Sequence, residues 1–357
     1  MITSENPPTQ NPPPPIITDP GVLQKTLFDD FIQPVLANGE MIMPCIPALT
    51  DYYLWRIGTL FQAIDSRFSQ EQLQQVGQMI AKNLVEGFRI SPHSRLRLKY
   101  ETSQPTNEGY KFKTSILAAS VVEEYQKWVD SRQPFLFGSE PNAKVMQVAA
   151  QFEDPTTVTV LDVGARMGRH TFPLAKQGYS VDALELSPTF VERLKNAAST
   201  GQVNVTVGDI LDPLVRMPLA HYRFAIGVEV IAAHCRDVEQ LRLFLVKMCD
   251  VLCSGGLLLF AIFLCQDDYE PDPLTRQISQ LHWSCFFTPQ DLASAMEGLP
   301  FQLISNESFL EYEREHQSPE TGTLTEQFCN WATGGNILVH STEKSVVELR
   351  WILGQRI

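Results

Sequence analysis

The chain is poor in positive charge. Its 28 Lys and Arg stand against 41 Asp and Glu, a formal net charge of −13. A generally basic, phosphate-seeking surface is therefore not expected, although a local basic groove is compatible with this balance. Its seven cysteines are an odd number, and no Cys-x-x-Cys occurs. Cys249-x-x-x-Cys253 has no second pair, so neither a disulfide framework nor a cysteine metal site is expected. Buried free thiols in a reducing compartment are the ordinary reading. No apolar run is long enough to span a membrane, and no signal peptide is recognisable. A cytoplasmic protein is expected, with no membrane, nucleic-acid or metal partner. No internal repeat is apparent.

What is present is organised around residues 158–175, VTVLDVGARMGRHTFPLA. A β-branched apolar run, Val158 to Val163, turns through Gly164 and Gly168. It continues as a helix-like segment with Phe172, Leu174 and Ala175 on its apolar side. A buried parallel strand that turns on glycine into a helix aims backbone N–H groups and the positive helix end at one spot. The dinucleotide fingerprint G-x-G-x-x-G fails twice here. From Gly164 it needs glycines where Arg166 and Arg169 stand, which argues against a nicotinamide enzyme.

Further strands follow at regular intervals. Residues 179–185 alternate and end in Glu185, about one βαβ half-unit (roughly 20 residues) after the loop. Residues 203–210 form a third strand followed by Asp209 and Ile210. Residues 224–229 read as a fourth, ending in Glu229 before a helix that begins near His234. Residues 251–260 place Gly255-Gly256 before a fifth.

The loop Asp162-x-Gly164-x-Arg166-x-Gly168 resembles the D/E-x-G-x-G-x-G loop of class I S-adenosylmethionine-dependent methyltransferases, with Arg166 in place of the middle glycine. LELS at 184–187, GDIL at 208–211, the Glu229–His234 stretch and CDVLCSGGLLLF at 249–260 match that family in order. FFTPQDL at 286–292 resembles the helix before the family's sixth strand. The resemblance covers about the last two-thirds of the chain. It implies an α/β fold: a Rossmann-like, seven-stranded, doubly wound sheet. Strand six would be 301–309, and strand seven 336–340, antiparallel at the sheet edge. It implies S-adenosyl-L-methionine as cofactor, held by Asp162, Gly164, Arg166, Gly168, Glu185, Leu186, Asp209, Ile210 and Glu229. Glu185 would accept from the ribose hydroxyls. Asp209 would take the adenine amino group, with Ile210 against the ring. Arg166 has three possible fates: it swings to solvent, it pairs with the cofactor's carboxylate, or it marks a loop that has lost its ligand.

The remainder frames this core. Residues 1–20 read as a Pro-rich tail, expected to be disordered or polyproline-like. Residues 21–115 read as an N-terminal helical subdomain of about four helices, including 23–36, 51–64 and one opened by the capping box Ser69-x-x-Gln72. Residues 91–100, SPHSRLRLKY, are extended. They are either a connector or a lid in which His93, Arg95 or Tyr100 reaches over the site. The methyltransferase domain would span 116–340, starting with a helix at 116–130, and 341–357 would close as a C-terminal helix. Tyr125 either approaches the adenosyl pocket or packs. The acidic runs 267–272 and 311–316 are either solvated or rim an acceptor pocket, with Tyr269 and Trp283 nearby.

Methyl transfer is an in-line displacement in which the protein mainly aligns the acceptor and excludes water. A base is needed only where the acceptor keeps its proton at neutral pH. His234, just past strand four, is the candidate, and a packed or capping histidine is the alternative. SPHSRL, SGGLLLF, YEPD at 269–272, FFTPQDL and WATGG at 331–335 also resemble a cyanobacterial methyltransferase group that includes enzymes methylating an asparagine side chain of phycobiliproteins. The Pro-Pro-Tyr/Phe amide clamp is absent, since that place reads Gly227-Val228-Glu229. The acceptor is thus a protein amide or a small molecule, and a non-catalytic binding module is the competing class.

Overall fold

Glu40–Pro44 (β1), Arg95–Thr102 (β2) and Tyr110–Leu117 (β3) form a three-stranded antiparallel sheet in the order β1-β2-β3. The cause is alternation. Leu96, Leu98 and Tyr100 of β2 are buried while Arg95 and Lys99 face solvent, a period of two that only a strand places on one face. Thr50–Ile64 (α1) and Gln70–Ile90 (α2) pack on it. Tyr53, Ile57 and Phe61 of α1 and Val76, Ile80 and Leu84 of α2 recur every four residues and share one core with Leu96 and Leu98. The N-terminal subdomain is therefore a mixed α/β annex, a correction to the helical bundle expected from its apolar spacing. The expected helix at 116–130 is corrected too: Ile116 and Leu117 end β3, and the helix is Val121–Asp130 (α3).

The computed structural model describes residues 39–64, 70–102, 110–131, 138–198, 201–228, 230–316, 324–338 and 345–357. The Pro-rich tail, the expected helix at 23–36, Ser69 and Glu229 lie outside these residues.

After Ala143–Ala149 (α4) the main sheet begins. Thr159–Val163 (β4), Ser180–Glu185 (β5) and Val203–Val207 (β6) are parallel neighbours. Thr171–Lys176 (α5) and Pro188–Ala197 (α6) are their crossovers. Tyr222–Gly227 (β7) returns to the other side of β4. Val230–His234 (α7) and Val238–Val251 (α8) then lead to Leu252–Cys265 (β8), parallel to β7. Pro273–Leu281 (α9), the short Phe286–Phe287 (β9) and Pro289–Met296 (α10) follow. Phe301–Ser308 (β10), Phe309–His316 (α11), Glu326–Ala332 (α12) and Val347–Arg356 (β11) complete the chain. The order is β10-β11-β8-β7-β4-β5-β6, with β9 on β8 off this path. This is a Rossmann-like doubly wound sheet. Its topological switch lies at β4, where ligands of such sheets bind beyond the carboxyl ends.

Three further details differ from the sequence reading. Val347–Arg356 is a strand, not the expected C-terminal helix. Val347, Leu349, Trp351 and Leu353 are buried with a period of two, because this strand runs antiparallel between β8 and β10. The seventh strand is thus β11, inside the sheet, and not residues 336–340 at its edge; 333–338 are turns and a bend. Gly255 and Gly256 sit within β8, where its register with β7 breaks between Tyr222 and Phe224, rather than in a turn before it.

One end of the sheet is tied by a buried carboxylate. Glu313 of α11 accepts from the backbone N–H groups of Ala143 and Lys144 at 2.8 and 3.2 Å and from Trp351 Nε1 at 3.2 Å. It therefore caps α4 from inside the protein and does not rim a pocket. Of the other acidic run, Asp272 caps α9 through the N–H of Thr275, and Glu270 pairs with Arg276. Tyr269 packs on the core beneath β8.

Candidate functional site

A cavity of about 400 Å³ opens at the carboxyl ends of β4, β5, β6 and β7. Each strand hands its next few residues to the wall: Gly164 and Arg166, then Glu185, Leu186 and Ser187, then Asp209 and Ile210, then Val230 and His234. The roof comes from elsewhere. Pro92 and His93 belong to the annex, Val121, Val122 and Tyr125 to α3, and Trp283 follows α9.

Backbone conformation at the first turn shows why glycine is used there. Gly164 and Gly168 have φ of +75° and +81°, the left-handed region that favours glycine. A side chain on Gly164 would land on Val230 Cγ2, and one on Gly168 on the ring of Phe172. Arg166, at the family's middle-glycine place, also has positive φ, at 49°. Its guanidinium does not swing to solvent. It lies 5.9 Å from the Tyr125 ring centroid and 6.0 Å from that of Phe190, on the cavity wall. Charge over aromatic faces is favourable.

Glu185 is buried at 4% exposure and lines the cavity. Its Oε2 accepts from the N–H of Arg166 at 2.8 Å and its Oε1 from the N–H of Ser187 at 2.8 Å. The glycine loop and the end of β5 are thus clasped by one carboxylate. Burial raises its pKa above the usual carboxylate value, and the two N–H groups and the Arg166 charge pull it back. Asp209 also lines the cavity and accepts from the N–H of Leu211 at 2.8 Å. Asp162 does not line it. Asp162 is buried and accepts from Thr171 Oγ1 at 2.6 Å, tying β4 to the first turn of α5. Gly168 lies off the cavity wall as well, packed against Phe172 and Leu194. Tyr269 is also absent from the wall, whereas Tyr125 and Trp283 are on it.

The roof is a ring cluster. The His93 ring stacks on Trp283 at 4.5 Å between centroids. Tyr125 meets His234 edge-on at 4.7 Å and Trp283 at 5.1 Å. Of the three lid candidates in 91–100, His93 reaches the site, Arg95 is exposed on β2 and Tyr100 belongs to the annex core. Burial pushes both His93 and His234 down to about 4, and for His234 the neighbouring His93 and Arg166 add to it. Both imidazoles are neutral at pH 7, each with one ring nitrogen free of a proton. Arg236, Gln240 and Gln280 complete the wall and were not singled out in the sequence, which offered no pattern for them. Among the described residues no group of three His, Cys, Asp or Glu is placed to hold a metal ion, and no helix is long and apolar enough to cross a membrane.

The histidines give a stability prediction. His93, His234 and the buried His170 are all depressed below the ordinary value of 6.5. Above about 6.5 the folded and unfolded states are both neutral at these sites, and stability is complete. Between 6.5 and about 4 the unfolded chain binds protons that the folded chain refuses, so stability falls as pH falls. Urea midpoints should drop from pH 7.5 to 5.0, and the drop should shrink in His234→Gln. A midpoint independent of pH in this window contradicts the buried neutral imidazoles.

Residues 160–256 match the family model described as a methyltransferase domain. No curated protein matches the chain. Among solved structures it is similar to geranyl diphosphate C-methyltransferase from Streptomyces coelicolor A3(2), described in complex with Mg2+, geranyl diphosphate and S-adenosyl-L-homocysteine. Identity is 14%, coverage 60% of this chain and 80% of that one, and the TM-score 0.46. It is also similar to a SAM-dependent methyltransferase from Methanosarcina mazei, at 13% identity, covering 59% of this chain and 97% of that one, with a TM-score of 0.39. The strand ends that build the cavity floor therefore lie within the segment that matches the methyltransferase-domain model, on a Rossmann-like sheet.

Proposed function

We propose that this protein is an S-adenosyl-L-methionine-dependent methyltransferase that moves the sulfonium methyl in line to a nitrogen or oxygen of an acceptor. One observation carries this: buried Glu185, Asp209 and the Gly164 turn line a single cavity at the switch point of the sheet. When bound, the cofactor supplies an already activated methyl group. The chain's own residues then bind, orient and exclude water. Glu185, its oxygens oriented by two N–H groups, accepts from the ribose hydroxyls. Asp209 accepts from the adenine amino group, with Ile210 and Leu186 against the base. Gly164 lets backbone approach closely. Asp162 and Gly168 support the turn from behind it. The Arg166 guanidinium pairs with the cofactor carboxylate, and neutral His234 takes the acceptor's proton.

The roof of His93, Tyr125 and Trp283 favours a small-molecule acceptor over a protein surface, because a folded partner's side chain would have to pass it. A protein side-chain amide, as in the phycobiliprotein group, is the second proposal, resting on the sequence resemblance. Calorimetry with S-adenosylhomocysteine tests the cofactor site. Measurable binding is expected, and no heat at millimolar ligand favours a non-catalytic module. Labelled cofactor in a cell extract then separates acceptors: label in the small-molecule fraction supports the first proposal, and a labelled protein band the second.

Arg166→Gly separates strain from binding. Glycine suits φ of 49°, so stability should stay within about 1 kcal/mol. Loss of a charge-assisted pair should weaken S-adenosylhomocysteine about tenfold. Unchanged or tighter binding in calorimetry rules out the carboxylate role.

A further inference from the structure

Three features of the roof remain without a role. The first is backbone strain. Trp283 has φ of +56° and is buried. A bulky residue in the left-handed region is costly and persists where its surroundings over-determine it. The effect is to turn the indole between His93, His234 and Tyr125.

The second and third are buried polar atoms. Gln280 Oε1 and His93 Nε2 are buried and have no hydrogen-bond partner among the described residues. Both residues line the cavity. Gln280 belongs to the turn that carries Trp283, since the Trp283 N–H donates to the Gln280 carbonyl at 3.3 Å. His93 stacks on the same indole. The amide orientation of Gln280 is set by its network: its Nε2 donates to the Arg236 carbonyl at 3.0 Å, so the orphaned atom is the carbonyl oxygen. A buried oxygen of this kind accepts only, and its missing partner is a donor.

We propose that Trp283, Gln280 and His93 form an acceptor clamp for a flat aromatic molecule bearing a hydroxyl or amino group. The clamp rests on the methyl-transfer function proposed above. The ring lies against Trp283 and Tyr125. The ring substituent's hydrogen is held by Gln280 Oε1, and its proton is taken up at His93 Nε2 or, deeper in the cavity, by His234. In the transfer the sulfur–methyl bond breaks, and its electron pair stays on sulfur, giving the neutral thioether. The acceptor's lone pair forms the new oxygen–methyl or nitrogen–methyl bond. The displaced proton leaves through the imidazole to water. The annex thereby supplies part of the specificity, because His93 lies between α2 and β2 and is held over the sheet. Arg236 Nη1 secures that position by donating to the carbonyls of Phe88 and Arg89, both at 3.3 Å, at the end of α2.

The test uses the full chain saturated with S-adenosylhomocysteine, and three probes of nearly equal shape: phenol, aniline and toluene. Binding is read by ligand-observed NMR. A purely apolar pocket prefers toluene. A pocket with an orphaned acceptor reverses that order, since a buried hydrogen bond is favourable and an unpaired buried group is costly. Phenol, aniline or both should bind about tenfold tighter than toluene, and which of the two wins distinguishes an oxygen from a nitrogen acceptor. Gln280→Met and His93→Phe should each erase most of the preference while keeping S-adenosylhomocysteine binding, which shows that each variant is folded. Toluene binding as well as the other two, a preference intact in both variants, or no probe binding to the loaded protein overturns the clamp and leaves the cofactor site standing. Failure of S-adenosylhomocysteine to bind the unaltered protein removes both.

Discussion

Glu185→Ala should weaken S-adenosylhomocysteine binding by at least about a hundredfold in calorimetry. The magnitude follows chiefly from one loss: the ribose hydroxyls lose a charged acceptor, worth about 1.5–3 kcal/mol. Two backbone N–H groups are also left without their partner, a cost to stability rather than to binding, which frees that part of the wall to move. Those two groups, on Arg166 and Ser187, both reach Glu185 at 2.8 Å. The truncation therefore also loosens the wall where β4 and β5 end. Glu185→Gln should fall between, because its oxygen replaces one acceptor while its NH2 faces an N–H donor. Circular dichroism should show the sheet retained in both variants. Full affinity in Glu185→Ala would mean that the nucleoside does not lie along β5, and the proposed function would fail with it.

Asymmetry in legibility has physical causes. The carboxyl ends of β4, β5 and β6 are visible in sequence because β4 reads as a buried apolar run ending at Gly164, and β5 and β6 as alternating segments that run into Glu185 and Asp209. Glu185 and Asp209 were located that way. Asp162 was located too, but its carboxylate turns to Thr171, a choice made by side-chain rotamer, which spacing does not encode. The roof was legible only in fragments. Tyr125 and Trp283 stood out as aromatics, and His93 as one of three polar candidates in an extended stretch. Gln280, Gln240 and Arg236 carried no signal, since they meet the cavity only after α9 and α8 are packed. In the annex sheet, β1 pairs with β2 across more than fifty residues, a partnership no local pattern announces, whereas β2 and β3 form a nearby hairpin whose strands read as an extended connector and the start of a helix. The C-terminal strand failed for a related reason. Val346, Leu349 and Ile352 mimic a helical spacing, and only pairing with β8 and β10 reveals that Val347, Leu349 and Trp351 share one buried face while Ile352 is buried on the other.

On the proposed function, the annex and the sheet meet at the acceptor side of the cavity, not at the nucleoside side. His93 comes from the annex, whereas Glu185, Asp209 and Gly164 come from the sheet. A division of labour follows. Variants in the strand ends should change cofactor affinity, and variants in the roof should change acceptor choice with little effect on S-adenosylhomocysteine. Arg166 is the exception. It reaches from the glycine turn to Tyr125 and contributes to the depressed pKa of His234, so it couples the two halves.

Gly164→Ala tests the turn itself and should be the most damaging single methyl group in the site. At φ of +75° an alanine is strained by about 1–2 kcal/mol. Its Cβ would also fall on Val230 Cγ2, adding an overpacking cost of about 1–3 kcal/mol. The total is about 3 kcal/mol, which for a chain of 357 residues lowers Tm by about 4 °C. Relief requires either a retreat of the turn, which breaks the Gly164 N–H bond to the Leu184 carbonyl at 2.8 Å, or a shift of α7. The second movement carries Val230 and His234 outward together, so cofactor binding should fall about a hundredfold and transfer more steeply still. Val230→Ala added to Gly164→Ala removes the steric part and leaves the backbone part. The double variant should regain roughly half of the lost stability, a coupling that independent sites would not show. If Gly164→Ala keeps both its melting temperature and its affinity for S-adenosylhomocysteine, the turn does not have this conformation and the cavity floor is misplaced.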